Sequence, residues 1–301
     1  MQALDVGRHS CPPFLNYILV GHTKIKVKSG GQECPPHIRS PRVKLFFMAV
    51  GDSTQRFSSR VENYVRYRPG YPPAVLDLLK NECGLSPASV IADIASGTGI
   101  FTRMLLENGN RVLGVEPNAD MRQAGEEFLR AYSRFTSVTG SAEATTLPDD
   151  SVDMVTAAQA AHWFDREKAH REFVRICRPG GWTVLLWNER RVGSTPFLRD
   201  YEQLLLEYGT DYQDVRSERT TEQIQTFFAP SRFEVLSFDY HQDFDYAALE
   251  GRLLSSSYTP QAGDGRHKPM LSALRRIFDA HQVNDRVRFE YDTRVYYGRL
   301  E

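Results

Sequence analysis

The sequence predicts an α/β fold built on a doubly wound, mainly parallel sheet. Three observations carry that reading. Between Ser89 and Trp187, short apolar runs alternate with amphipathic segments of helical period, the pattern of strand–helix–strand units with right-handed crossovers. The first run leads into Asp93-Ile94-Ala95-Ser96-Gly97-Thr98-Gly99, a small-residue turn that can bend sharply because Gly97 and Gly99 have no Cβ. The run Val287 to Tyr297 places Val287, Phe289, Tyr291, Thr293, Val295 and Tyr297 on one side and Arg288, Glu290, Asp292 and Arg294 on the other. That two-residue period marks a strand with one buried face.

Pro73 suits the first turn of a helix, and Val75, Leu76 and Leu79 then form one apolar face. Strands are expected at 89–94, 111–116, 135–139, 152–157 and 182–187, with helices at 100–108, 119–130 and 165–177 between them. Met121, Ala124 and Phe128 should face the sheet from 119–130, and Ala169, Phe173 and Ile176 from 165–177. Arg178-Pro179-Gly180-Gly181 reads as a turn before the fifth strand. Beyond Trp187 the order changes. Helical stretches at 196–208 and 220–228 precede a strand near 233–240, and helices at 246–255 and 269–281 precede the alternating strand. These helices read as a cover inserted above a seven-stranded sheet, so that 89–187 is the core and 188–301 supplies the cover and remaining strands.

The chain has 301 residues, 41% hydrophobic and 25% charged, which is ordinary for one large α/β domain. Its formal net charge of -1 offers no global attraction to nucleic acid or an anionic membrane. Cys11, Cys34, Cys83 and Cys177 are scattered without a Cys-x-x-Cys pair, which argues against a zinc site or a disulfide framework. No apolar run approaches the ~20 residues of a spanning helix. Residues 1–47 differ from the rest: seven Lys/Arg stand against two acids, and Pro12-Pro13, Gly30-Gly31 and Pro35-Pro36 break any period. The segment reads as a disordered or non-native extension, with Met48 as a plausible start of the domain, 48–301. The expectation is a cytoplasmic protein, monomer or homodimer, acting on a small molecule, without nucleic acid, membrane or metal.

Asp93 sits near the C-terminal end of the first strand, where open α/β sheets bind ligands, and a carboxylate there suggests a cationic partner. The turn opens a helix, whose free N–H groups favour ligand oxygens. A dinucleotide fingerprint would need Gly or Ala at its third small position, where Thr102 stands. A nicotinamide-dependent oxidoreductase therefore fits poorly, and no Gly-Lys-Ser/Thr follows for a phosphate loop. What the stretch does resemble is the first motif of the class I S-adenosylmethionine-dependent methyltransferases, an acid followed by x-Gly-x-Gly-x-Gly, with Ala95 at the first glycine position. The order and spacing of later motifs make the chain similar to the type 11 family, in the trans-aconitate methyltransferase-like group. The resemblance implies a Rossmann-like sheet, the first five strands parallel and the C-terminal strand inserted antiparallel beside its neighbour.

It also implies S-adenosyl-L-methionine as cofactor. In such a site Asp93 holds the methionine part, in the setting of Ala95, Ser96, Gly97 and Gly99. Glu116, 23 residues after Asp93 and followed by Pro117, takes the two ribose hydroxyls, which one bidentate carboxylate can satisfy; Met121 lies on the next helix. Gly140-Ser141-Ala142-Glu143 resembles the adenine motif, with Ala142 or Glu143 reading the ring edge unless Glu143 merely serves a helix start. Gln159-Ala160-Ala161-His162-Trp163 places Gln159 and Ala160 beside the cofactor and His162 and Trp163 toward the methyl group and substrate. His162 is the candidate catalytic residue, although a base is needed only if the acceptor carries a proton.

Tyr64, Arg68 and Tyr71 form an aromatic-basic cluster that reads equally as a packed strap or a lid over the cofactor. Trp187 ends the fifth strand, and Arg190 and Arg191 after it offer guanidinium forks for a carboxylate substrate. Arg252 to Tyr258 is expected to line the same pocket. The function expected is methyl transfer to a small-molecule acceptor, with a carboxylate as the candidate acceptor group. A catalytically silent S-adenosylmethionine-binding interaction module is the alternative.

Overall fold

The computed structural model of the chain describes residues 66–212 and 221–301. The expectations about residues 1–47 and about Tyr64 fall outside them. Seven strands form one sheet: β1 (Val90–Ile94), β2 (Arg111–Val115), β3 (Phe135–Val138), β4 (Val152–Ala158), β5 (Cys177–Arg190), β6 (Phe233–Phe244) and β7 (Val287–Gly298). The described helices are α1 (Ala74–Cys83), α2 (Ile100–Glu107), α3 (Ala119–Leu129), α4 (Arg166–Ile176), α5 (Pro196–Tyr208), α6 (Thr221–Phe228), α7 (Tyr246–Leu254) and α8 (His267–His281).

The strand order is β3-β2-β1-β4-β5-β7-β6. β1 to β5 are parallel, and β7 lies antiparallel between β5 and β6, as the resemblance implies. The order reverses at β1, which pairs with β2 on one side and β4 on the other. The crevice outside the C-terminal ends of β1 and β4 is thus the ligand position that the topology prepares.

Three apolar clusters fix the layers. Val75, Leu79, Phe101, Leu105 and Leu129 bring α1, α2 and α3 onto one face, against Ile91, Val112 and Met154. Phe173, Ile176, Phe227 and Phe228 bring α4 and α6 onto the other, against Ala92, Val115 and Leu185. Tyr201, Leu205, Leu249 and Leu274 of α5, α7 and α8 close over Phe289 and Tyr291 of β7. Helix starts are set locally: the side chains of Asn118, Asp165, Thr195 and Asp245 each accept from a backbone N–H of the first turn of α3, α4, α5 and α7.

Three expectations need correction. The face that α3 turns inward is Met121, Gly125 and Leu129, while Ala124 and Phe128 are half-buried. Glycine decides this register, because α3 rests on the turn backbone and a Cβ at Gly125 would stand 3.0 Å from the Gly97 carbonyl oxygen. The helix at 220–228 is not part of the cover. Phe227 meets Phe173 of α4 edge-on with ring centroids 5.5 Å apart, so α6 belongs to the sheet core. Finally, β5 starts at Cys177 rather than after the Arg178–Gly181 turn. Cys177 pairs with Val152 and Trp182 with Met154, so the four residues of the expected turn bulge out within the strand.

Candidate functional site

Backbone geometry builds one side of the site. After β1 the chain takes left-handed conformations at Ala95 (φ 53°), Gly97 (φ 56°) and Gly99 (φ 83°). Only at Ala95 does a side chain bear the strain, at the position where the resembled motif has its first glycine. The Ser96 N–H donates to the Val115 carbonyl at 3.1 Å and the Gly99 N–H to the Ser96 carbonyl at 2.9 Å, which folds the turn back on β2. Glu116 locks it there. Its carboxylate accepts from the Gly97 N–H at 2.9 Å and from the Asn118 N–H at 2.8 Å, tying the turn to the start of α3. Burial raises the Glu116 carboxyl above its ordinary value, opposed by those N–H groups and by Arg122.

Asp93 lies at the floor, 1% exposed. Its two oxygens accept from Thr102 Oγ1 at 2.6 Å and Thr156 Oγ1 at 2.8 Å. Burial pushes its carboxyl up to about 6, against the lowering effect of the two hydroxyls. Each oxygen retains acceptor capacity, and a cation brought to it would be met by a charge-assisted bond.

A cavity of about 390 Å³ opens over this floor, within the range of small-ligand pockets. Its wall brings together Asp93, Ala95, Ser96, Gly97, Gln159, His162, Trp163, Trp187, Arg190, Tyr258 and Arg68. Gln159, at the end of β4, has φ 62°, a strained conformation of the kind stored at functional sites. His162 and Trp163 form a 3₁₀ turn after it, their ring centroids 4.7 Å apart. Among the buried polar atoms of wall residues, Thr98 Oγ1 and Trp187 Nε1 have no hydrogen-bond partner among the described residues.

Gly99, Glu116, Pro117, Met121, Ala142, Ala160 and Glu143 are not in this wall. Gly99 closes the turn, Glu116 accepts from its Gly97 N–H, and Met121 packs beside it, its Cε 3.3 Å from where a Cβ on Gly97 would stand. The Glu143 carboxylate accepts from the Asp165 N–H at 2.9 Å and so serves the start of α4. Ala142 is buried in the sheet core, and its loop is pinned by the Thr145 N–H donating to Glu172 at 2.7 Å.

The paired arginines separate. Neighbours on a strand point to opposite faces. Arg190 turns into the cavity, where one nitrogen meets Glu202 and, at 3.0 Å, the Tyr212 hydroxyl, and its guanidinium lies 5.1 Å over the Tyr201 ring. Arg191 turns out and clasps Asp292 at 2.6 Å and Asp239 on neighbouring strands. Arg191 is therefore a cross-strand tie that lies outside the cavity wall. Arg68 reaches the cover, its Nη2 donating to the Ser255 carbonyl at 2.9 Å.

Sequence reasoning missed Thr102 and Thr156, the hydroxyls on Asp93, whereas Arg252 and Tyr258, the ends of the stretch expected to line the pocket, both reach its wall. Thr102 offered a signal: it lies nine residues after Asp93, one side of a helix starting at the turn. Thr156 offered none, because its partner Asp93 lies 63 residues away on another strand.

Comparison with known proteins bears on the fold and the family. Residues 92–185 match the methyltransferase-domain family. An uncharacterized methyltransferase of Mycobacterium tuberculosis is 37% identical over 172 residues, 56% of this chain. The chain spans 65% of that relative's own length. A candidate S-adenosylmethionine-dependent methyltransferase of Saccharomyces cerevisiae is 24% identical over 279 residues, covering 79% of this chain and 94% of the yeast protein. Among solved structures, a candidate Type II methyltransferase from Anaeromyxobacter dehalogenans superposes with a TM-score of 0.56 at 25% identity, over 77% of this chain and 98% of that one. A phosphoethanolamine N-methyltransferase of Haemonchus contortus, bound to S-adenosylhomocysteine, has the same fold at 16% identity, with a TM-score of 0.50 over 83% of this chain and 58% of that one. The fold is the Rossmann-like fold of class I methyltransferases.

Proposed function

We propose that this chain is an S-adenosylmethionine-dependent methyltransferase whose acceptor is a small molecule, with a carboxylate as the acceptor group. One observation carries the reading: a buried acid and a left-handed glycine turn meet at the sheet's switch point, inside the segment that matches the methyltransferase domain. The residues present fit the cofactor. The orphan Thr98 hydroxyl and Trp187 N–H lie in the wall of a cavity of suitable size, and Asp93 supplies the negative charge.

In this reading the cofactor supplies an electrophilic methyl group on a sulfonium. Asp93 binds its ammonium, with Thr102 and Thr156 holding the carboxylate in place. The turn at Ala95–Gly97 lets the main chain lie against the ligand. Glu116, buried and already fixing the turn, keeps a lone pair on each oxygen for the ribose hydroxyls. Gln159 flanks the cofactor, and His162 and Trp163 orient the acceptor for in-line attack, where alignment matters more than proton transfer. A carboxylate is ionised at neutral pH, so His162 then acts by positioning. Assignment to the trans-aconitate-like group belongs to the same proposal.

Incubating the full chain with S-adenosylmethionine labelled in its methyl group and a metabolite extract tests it. Label should pass to small molecules that lose it again on mild alkaline treatment, as methyl esters do. Cofactor binding without any transfer would leave the silent binding module standing. Label stable to base would move the acceptor from carboxylate to another atom.

A further inference from the structure

We propose that Arg252 and Arg190 form an anion subsite on the cover side of the cavity. It holds a charged group of the acceptor other than the one that is methylated. The proposal rests on the methyl-transfer reading and narrows its substrate class to a small dianion.

The argument begins with charge. Arg252 is 7% exposed, lines the cavity, and takes part in no ion pair among the described residues. Its Nη1 donates to Ser256 Oγ at 3.2 Å, while its Nε has no hydrogen-bond partner. Arg190 spends one nitrogen on both Glu202 and the Tyr212 hydroxyl, and its Nη1 is left without a partner. A buried guanidinium without a matching acid is strongly disfavoured. The carboxylates near the cavity are engaged elsewhere: Glu189 faces Arg294 at 3.3 Å, and both Asp93 oxygens accept from threonines.

Tyr258 reports the same field. Burial would raise its phenol, but Arg252 and Arg68, then a hydrogen bond with Ser256 and the Arg190 charge, bring it below its ordinary value. Positive charge therefore gathers at this end of the cavity, while Asp93 takes the cofactor end. Planar forks with N–H groups to spare suit an oxyanion with two oxygens in one plane. The acceptor group itself must lie toward the turn and His162, so the anion met by the arginines is a second one. A carboxylate or a phosphate ester has the required chemistry.

The full chain saturated with S-adenosylhomocysteine is titrated calorimetrically with glutarate, with its neutral diamide, and with inorganic phosphate. Glutarate should bind at least about tenfold more tightly than the diamide, the worth of a buried charged contact. Arg252→Gln should weaken glutarate by about tenfold or more and leave S-adenosylhomocysteine within about twofold. Glu202→Gln should act in the opposite sense, tightening glutarate severalfold by releasing Arg190 from its counter-charge. That sign is one a purely structural role does not produce, and it stands even if Arg252→Gln fails to fold. Phosphate binding with the same two responses keeps the subsite and assigns it to a phosphate ester. Equal binding of glutarate and diamide, or indifference to both substitutions, overturns the proposal. If S-adenosylhomocysteine does not bind but glutarate does, with both responses intact, the subsite stands and the methyl-transfer reading falls.

Discussion

The two ends of the cavity are built by different means. At the turn after β1 the recognising surface is mostly main chain, shaped by left-handed residues and held by Glu116 through two N–H groups. At the cover end it is mostly long side chains, with Arg68, Arg190 and the stretch from Arg252 to Tyr258 arriving from three separate places in the chain. Main-chain recognition suits a ligand that never changes, since few side-chain substitutions can erase it. Side-chain recognition can be rewritten one residue at a time. A common cofactor at the first end and a particular acceptor at the second is the division of labour this contrast teaches.

The sharpest way to break the contrast is at Gly99. A Cβ there would stand 2.5 Å from Leu129 Cδ1, at φ 83°. For Gly99→Val, overpacking and the left-handed backbone together should cost about 2–5 kcal/mol of stability. Affinity for S-adenosylhomocysteine should fall by more than any cover substitution achieves, as denaturant melts and calorimetry would show. Unaltered stability and affinity would mean that the turn does not shape the cofactor end.

A smaller effect is expected at Asp93, the acid on the floor of that end. Asp93→Asn removes the charge from a buried charge-assisted bond, worth about 1.5–3 kcal/mol, or roughly ten- to hundredfold in affinity. Its pH signature has a definite sign. Burial puts the Asp93 carboxyl at about 6, and the ligand's ammonium needs the ionised form. Affinity should therefore fall as pH drops through 6, by up to about tenfold per unit, and Asp93→Asn should abolish that slope. The free protein responds oppositely: a carboxyl raised from 3.8 to about 6 favours the protonated folded state. Asp93 thus adds stability as pH falls from 6 towards 4. A slope that survives in Asp93→Asn would assign the titration to another group.

The smallest effect separates two adjacent arginines. Arg191 makes partly exposed ion pairs across strands, each worth ~0–1 kcal/mol. Arg191→Ala should leave the binding of S-adenosylhomocysteine and glutarate unchanged and shift the melt only slightly. A large loss of glutarate binding in Arg191→Ala would return this residue to the pocket and undo the alternation argument.

The sheet was legible because its signals are local. The apolar runs that became β1 to β5, the acid at Asp93 and the glycines after it lie within short windows. The inward face of α4 followed from helical period alone, since Ala169, Phe173 and Ile176 are all buried. The same argument misplaced α3, because Gly125 packs backbone on backbone and a glycine carries no hydrophobic signal. Arg190 and Arg191 looked equivalent as a dipeptide, and only the strand's alternation distinguished them. The cover-end residues were each legible as candidates, but how they meet was not. Arg68 and Ser255 are separated by 187 positions yet share a hydrogen bond, and no window spans that.

The place of β7 has a consequence for how the protein is made. β6 leaves the ribosome before β7, yet β7 is the strand that lies between it and β5. Until Val287–Gly298 is synthesised, β6 has no neighbour to pair with, and the apolar Val235 and Leu236, still 49% and 44% exposed in the finished fold, sit on an open strand. The β1–β5 half can assemble as it emerges, whereas the half that reads the acceptor waits for one late strand. A stalled or truncated chain would thus present a finished cofactor turn beside an unpaired edge, the kind of surface on which chains aggregate and chaperones act.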